Sequence, residues 1–454
     1  MKRIIAMSAA ALILSGCGIY KKYQPTEEVP EGLYGAGLSE GKDTTNFGNL
    51  SWREVFTDPY LRDLIDSALV RNTDMRTATL RVEQAEAGLR AARLSYLPSI
   101  AFTPEAAVSS VDTKRAVQTY NIPVAASWEI DIFGKLTNAK RKAKAGFEQS
   151  QEYEQAVKTG LVAGVANAYY TLLMLDAQHR IAVETEAIWK QSVETTRAMK
   201  KAGMVTEAAL AQTEATYYGI CTQVLDLAEK INQAENSVNL LLARTPQGIA
   251  RGRLAEQRMP ETFSVGVPIQ MLANRPDVRA AELSLAQAFY TTNAARAAFY
   301  PSITLSGSAG WTNSAGSMIV NPAKFVASAV AQLMQPIFAR GANRANLKIA
   351  KAEQEVAQLT FEQTLLQAGV EVNEAVEQYQ TAKEKADYYE KQVASLETAT
   401  KSTQLLMKHG NTTYLEVLTA QQTLLTAQLS RVANRFSEIQ SMITLYRALG
   451  GGRM

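Results

Sequence analysis

The sequence predicts a mixed fold built by tandem duplication. Each copy reads helix, two strands, long helix, return helix, so the chain carries four strands. Three observations predict it. Aligning Asp74 with Asp277, an offset of 203, gives 12 identities over 30 residues without a gap: Asp74, Arg76, Ala78, Leu80, Gln84, Ala85, Ala91, Ala92, Arg93, Pro98, Ser99 and Ile100. Tyr120 to Asp131 alternates, with Tyr120, Ile122, Val124, Ala126, Trp128 and Ile130 on one face. Val372, Val376, Tyr379, Ala382, Ala386, Tyr389, Val393 and Leu396 step in threes and fours, the heptad spacing of packed long helices.

Taken in order, the chain opens with Lys2 and Arg3 before an apolar run, Ile4 to Leu14, too short to span a bilayer. The run ends in Leu14-Ser15-Gly16-Cys17, which resembles a lipobox, so residues 1–16 are expected to be a lipoprotein signal peptide and Cys17 the lipidated residue. An ordinary cleaved signal with an incidental cysteine is the plain alternative. Gly18 follows the cysteine, where an aspartate would suggest retention at the inner membrane. Residues 17–50 read as a linker, and "GLYGAG" (Gly32 to Gly37) within it has no strand before it to make a phosphate loop.

The first copy covers 51–243. Its hairpin is expected at about 98–131, with Pro98 to Ser109 the weaker strand and Val111–Thr119 the loop. Proline disfavours helix at the residue before it, so the "PSI" at Pro98 and again at Pro301 marks a helix handing over to a strand. A long helix follows at about 136–201, and Gly203 suits its C-cap. A return helix runs from about 206 to 243. After a linker, 244–270, the second copy occupies 271–454. Its hairpin is expected at about 301–338, with strands Ile303–Thr312 and Lys324–Met334 joined by a loop over Asn313–Pro322. Its long helix is expected at about 342–408 and its return helix at about 413–448. The matches "DIFGK" with "PIFAR" and Gly203 with Gly410 continue the repeat at offsets of 205 and 207.

Composition excludes more than it assigns. A formal net charge of +3 is close to balanced and does not argue for nucleic acid, where a concentrated basic face is expected. Two histidines and two cysteines leave little for a metal centre or a Cys/His site, and no nucleophile–base constellation suggests an enzyme. His179 reads as an ordinary helix residue, Cys221 has no intrachain partner once Cys17 carries lipid, and the 13 methionines form no Met-x-Met cluster. No cofactor is expected.

Four strands cannot close a barrel, and lipid does not tolerate an open sheet edge. If these strands lie in a membrane, several chains share one barrel of 8, 12 or 16 strands. A globular sandwich would alternate too. The helical stretches, at ~1.5 Å per residue, make rods of roughly 100 Å, longer than a bilayer is thick and charged along their length.

The lipobox, "WREVFTDPYL" (Trp52 to Leu61), "RNTDMR" (Arg71 to Arg76), "SWEIDIFGK" (Ser127 to Lys135), "NRPDVRAAE" (Asn274 to Glu282), "AARAAFYPSI" (Ala294 to Ile303) and "GNTTYLEVLTAQ" (Gly410 to Gln421) together resemble the TolC family of outer membrane factors, in its lipoprotein branch of RND-type efflux channels. That resemblance covers nearly the whole chain. It implies a homotrimer with a 12-stranded transmembrane β-barrel continuous with a periplasmic α-helical barrel. It also implies an equatorial belt from the N-terminal segment, Arg244–Gln270 and the C-terminus. The implied place is the outer membrane, lipid-anchored at its periplasmic side and spanning the periplasm. The implied role is the passive exit duct of a tripartite system, with a periplasmic adaptor and an inner-membrane pump of RND type as partners. A type I protein secretion duct shares the fold, and a structural periplasmic coiled-coil lipoprotein is a further alternative.

Matching the family motif puts the channel constriction at Glu416 and Thr419; Glu416 keeps the acid, while Thr419 stands where an aspartate is common. Thr413-Tyr414-Leu415-Glu416 is also a capping-box pattern, with Glu416 at N3. The adaptor-contact tips are implied at Ala202, Gly203, Met204, Val205 and Thr206, and at His409, Gly410, Asn411, Thr412 and Thr413. A solvent-exposed turn is the plain reading of both.

Overall fold

A computed structural model describes residues 21–25, 29–30, 32–33, 47–110, 116–258, 274–315, 318–409 and 412–453. The lipidation candidate Cys17 and the tip residues Gly410 and Asn411 lie outside the described residues. The chain divides into two compact units. Unit one gathers the described residues of Met1–Thr26, Leu80–Glu152 and Arg279–Thr364; unit two gathers those of Glu27–Thr79, Tyr153–Val278 and Leu365–Met454.

The helices are α1 (Trp52–Val55), α2 (Pro59–Arg71), α3 (Thr73–Leu94), α4 (Lys135–Lys201), α5 (Glu207–Leu241), α6 (Pro276–Ala297), α7 (Ala342–Lys408) and α8 (Tyr414–Ala448). Helices of 22, 67 and 35 residues occur twice in the same order, as α3, α4, α5 and then α6, α7, α8. Local chemistry sets their ends. Ser51 and Glu54 close a capping box on α1, and Asp58 caps α2 with Pro59 at its first turn. Gly203, at φ +75°, ends α4 as the left-handed residue, with the Met204 N–H donating to the Met199 carbonyl at 2.9 Å.

Unit one holds one antiparallel sheet: β1 (Ser99–Phe102), β2 (Glu105–Ser109), β3 (Val117–Ile130), β4 (Ser302–Ala315) and β5 (Met318–Met334), in the order β1-β3-β4-β5. β2 shares the outer edge of β3 with β1, so the sheet is four strands wide. Two expectations change here. The single strand expected over Pro98–Ser109 is broken into β1 and β2 around Thr103-Pro104, because proline has no N–H to donate a ladder bond. The loop expected over Asn313–Pro322 is mostly strand. Pairing continues through Ser314↔Ile319 and Ala315↔Met318, beyond a bulge at Thr312/Ser314. On its other side β4 meets β3, and the buried Asn313 continues that contact past the last backbone pair, Asn121↔Thr312: its side chain accepts from the Tyr120 N–H at 2.7 Å and donates to the Gln118 carbonyl at 3.0 Å. A side chain thus satisfies β3 backbone groups where the β3–β4 ladder ends.

Unit two is a helical core. Leu161, Val165, Tyr169 and Leu172 of α4 are buried, as are Val372, Val376, Tyr379 and Val393 of α7. Ile181, Trp189, Ile220, Tyr414, Leu418 and Leu425 form one apolar cluster, which joins α4, α5 and α8.

Candidate channel site

The register of the sheet sorts its side chains by polarity. On one face lie Ile100 and Phe102; Ile122, Val124, Ala126, Trp128 and Ile130; Ile303, Leu305, Ala309 and Trp311; and Phe325, Ala327, Ala329, Ala331 and Leu333. Each except Ala329, which faces Gly307, is opposite another of the set, so the apolar surface runs across all four strands. The other face carries Ser127, Ser306, Ser308, Ser328, Thr304, Thr312, Gln332 and Glu129, interrupted by Pro123, Ala125, Val326, Val330 and Met334. Apolar side chains on this sheet remain open in the single chain: Trp311 is 57% exposed, Phe325 60% and Leu333 67%. Trp311 and Phe325 pair edge to face at 5.4 Å across the strands. Where Gly310 pairs with Pro123, a Cβ added to Gly310 would collide with the Ile122 carbonyl, so β3 and β4 approach as they do because residue 310 has no side chain.

At the start of α8, Tyr414 is the anchor. Its ring sits in the apolar cluster with Trp189 and Leu418, and its hydroxyl donates to the Ser192 carbonyl at 2.9 Å. With Tyr414, Val417 and Leu418 turned inward, Glu416 and Thr419 lie together on the exposed side of α8, one helical turn apart. The capping box does not form. Thr413 makes no side-chain cap bond, and the Thr412 hydroxyl donates to the Glu416 carboxylate instead. The carboxylate accepts from the Thr412 hydroxyl and, at 3.5 Å, from the Thr413 hydroxyl, and not from the backbone N–H of the helix start. The Thr419 hydroxyl donates back to the Leu415 carbonyl at 2.9 Å, which leaves it no charge and little spare donor capacity. In the other turn, Ala202, Gly203, Met204 and Thr206 are exposed and Val205 is half-buried, while His409 and Thr413 are exposed and Thr412 is half-buried. Thr206 does cap its helix, accepting from the Ala209 N–H at 3.2 Å.

Two polar networks in unit two hold segments from distant parts of the sequence. Asp58 accepts from the Tyr169 hydroxyl at 2.6 Å and the Gln257 amide at 2.7 Å, tying the start of α2 and the linker after α5 to α4. Burial and the bond to Asp58 push the Tyr169 phenol well above its usual value, so it stays a donor. Arg275, 5% exposed, donates to both oxygens of Asp277 at 3.0 and 2.6 Å, to Glu371 at 2.9 Å and to the Ala448 carbonyl at 2.9 Å. Burial raises the Asp277 carboxyl, but the Arg275 bonds and charge outweigh it and hold the group below the ordinary carboxylate range.

The family described as outer membrane efflux protein matches residues 64–244 and 267–451, most of the chain and both of its halves. The chain belongs to that family. The outer membrane efflux proteins are channels and not an enzyme class, and this member serves efflux at the outer membrane. Among relatives, the cation efflux system protein CusC of Escherichia coli K12 is 30% identical over 452 residues, 97% of this chain and 98% of that protein. The toluene efflux pump outer membrane protein TtgC of Pseudomonas putida is 27% identical over 475 residues, 99% and 96% of the two chains. In structure, the open state of the MtrE outer membrane channel of Neisseria gonorrhoeae superposes with a TM-score of 0.85 at 28% identity, covering 95% of this chain and 97% of that one.

Sequence reasoning missed the roles of Arg275, Asp58 and Asn313. The first two stand inside motifs that carry the family resemblance, "NRPD" and "FTDP", yet nothing local in those motifs names partners some 100 to 200 residues away. Asn313 carries no sequence signal beyond its place at the end of an alternating run.

Proposed function

We propose that this outer membrane efflux protein is the passive exit duct of a tripartite efflux system. A homotrimer shares a 12-stranded barrel, a periplasmic adaptor grips the helical tips, and an inner-membrane pump of RND type supplies the energy. The observation that carries the reading is the four-strand sheet, apolar on one face, polar on the other and open at both edges. In hydrocarbon each unpaired edge group costs several kcal/mol, so the β5 edge of one copy pairs with the β1/β2 edge of the next until the ring closes. The apolar face then meets lipid and the serine- and threonine-rich face lines the pore. β3 and β4, 14 residues each, are ~46 Å long, and at a ~45° tilt they span ~33 Å, the thickness of a hydrocarbon core.

The recurrence of 22-, 67- and 35-residue helices supports reading the chain as a duplicated module, 51–243 and 271–454. The 67-residue helices, ~100 Å long, supply the periplasmic barrel. Cys17 carries the lipid anchor at the periplasmic side. Three copies of Glu416 form one acidic ring at the constriction, with Thr419 one turn on as a neutral ring, so cation preference is weaker than two acidic rings would produce. The turns at 202–206 and 409–413 are the adaptor contacts. Cargo is set upstream by the pump. The relatives' names range from a cation to toluene, and a wall of hydroxyl side chains is indifferent to such a choice.

Native mass spectrometry of the full-length protein, extracted from outer membranes in detergent, tests the reading. A trimer is expected. A monomer that leaves the membrane without detergent would remove the shared barrel and the duct with it.

A further inference from the structure

At the strand-proximal end of unit one, Arg93 in the last turn of α3 and Lys140, Arg141 and Lys144 in the first turns of α4 border a cavity of about 400 Å³ with Leu89. From Lys135 to Phe147 the helix has no aspartate or glutamate, and Glu148 lies 3.3 Å from Lys144 in an exposed pair. Such a pair contributes little. The corresponding end of α7 repeats the pattern, with Arg344, Lys348 and Lys351 before its first acid, Glu353.

Two further observations give this basic end its setting. The first is aromatic. The Trp128 indole donates to the Tyr96 carbonyl at 2.8 Å, and Lys140 Nζ lies 4.7 Å from the centre of the Tyr96 ring. Tyrosine and tryptophan collect where hydrocarbon meets water, with long basic side chains reaching along them to the headgroups. Lys140 and Arg141 are only ~8–9 Å along α4 from its start at Lys135, within a side chain's reach of that boundary. The second is a tether. Arg141 Nη1 donates to the Lys21 carbonyl at 3.3 Å, and the next residues are docked by Tyr23, whose N–H donates to the Tyr290 hydroxyl at 3.3 Å. Cys17 is four residues before Lys21, so its sulfur-borne acyl chains start within ~14 Å of Lys21, the residue that Arg141 holds. Lys21 and Lys22, both exposed, add two positive charges beside the cluster.

We propose that Arg93, Lys140, Arg141 and Lys144 form a docking site for the headgroups of anionic phospholipids in the leaflet that receives the Cys17 acyl chains. The proposal rests on the reading of Cys17 as lipidated and of the sheet as membrane-inserted. The ligand is lipid and not free phosphate, because the acyl anchor holds the cluster at the bilayer surface. Bound headgroups lower the repulsion among these like charges, and they fix the depth at which the helices leave the membrane.

The test compares full-length protein with the K140Q/R141Q/K144Q variant, both exchanged into mixed micelles of phosphatidylglycerol and phosphatidylethanolamine with matched acyl chains. Native mass spectrometry counts the lipids retained. The wild type is expected to retain phosphatidylglycerol in preference, and the variant to bind it on the order of 100-fold more weakly at low salt. A K140R/R141K/K144R variant keeps the preference. Equal retention of the two lipids by the wild type, or unchanged phosphatidylglycerol retention by the glutamine variant, overturns the site. Displacement of the lipid by inorganic phosphate overturns the assignment to a headgroup. Intact mass separates the two readings: a chain without acyl groups that still selects phosphatidylglycerol refutes the lipidation of Cys17 and keeps the site.

Discussion

Replacing Arg275 with methionine removes a fork that ties three segments of unit two. The side chain is 5% exposed and makes four hydrogen bonds, to Asp277 twice, to Glu371 and to the carbonyl of Ala448 at the end of α8. Breaking a fully buried ion pair costs about 3–5 kcal/mol. Here the Asp277 and Glu371 side chains are 47% and 44% exposed, so both carboxylates rehydrate and most of that cost is relieved. The Ala448 carbonyl is buried and loses its donor, which costs about 1–3 kcal/mol. The expected loss is therefore about 2–3 kcal/mol, concentrated where α8 ends. Native-state hydrogen exchange reads it directly: the Gly450 and Gly451 amides, which donate to Arg447 and Tyr446, should lose about 30- to 150-fold in protection. R275K keeps the charge without the fork and should fall between. A change under about threefold in this segment, or the same change everywhere in the chain, would refute the reasoning.

Three other outcomes are expected. E416Q removes the acid of the proposed ring without touching the Tyr414 anchor, so in planar bilayers the reversal potential under a salt gradient should move away from cation preference while the trimer is retained; an unmoved potential rejects the ring. G310V drives a side chain into the Ile122 carbonyl, and folded channel should disappear from outer membranes, whereas normal assembly would contradict the close approach of β3 and β4. Asp277 is held below its ordinary value of 3.8, so its contribution is complete above that value and is lost as pH falls through the lower folded one. Acid titration of exchange at α6 and the end of α8 should show this loss in the wild type and not in D277N, which is instead weaker at neutral pH.

What the residues by themselves determined is what neighbours in the chain can decide. Heptad steps from Val372 to Leu396 make a long helix in any packing, Gly203 ends one because only glycine enters the left-handed region freely, and alternation from Tyr120 to Asp131 makes an amphipathic strand. The charge run from Lys135 to Lys144 was equally open to view, but it reads as a solvated helix face until Arg93, Tyr96 and Lys21 stand beside it. Tertiary structure alone decided which pairs meet across long sequence distances. Asn313 satisfies β3 where its ladder with β4 ends, and Arg275 closes the end of α8 from 173 residues away. The Glu416 partner changed for the same reason. A capping box is a local pattern, yet Tyr414 packs against Trp189 and Ser192, which sets the start of α8 and brings Thr412, not the Thr413 backbone, to the carboxylate. Local periodicity survives any packing, whereas hydrogen-bond partners are chosen by distance and direction, which only the assembled chain supplies.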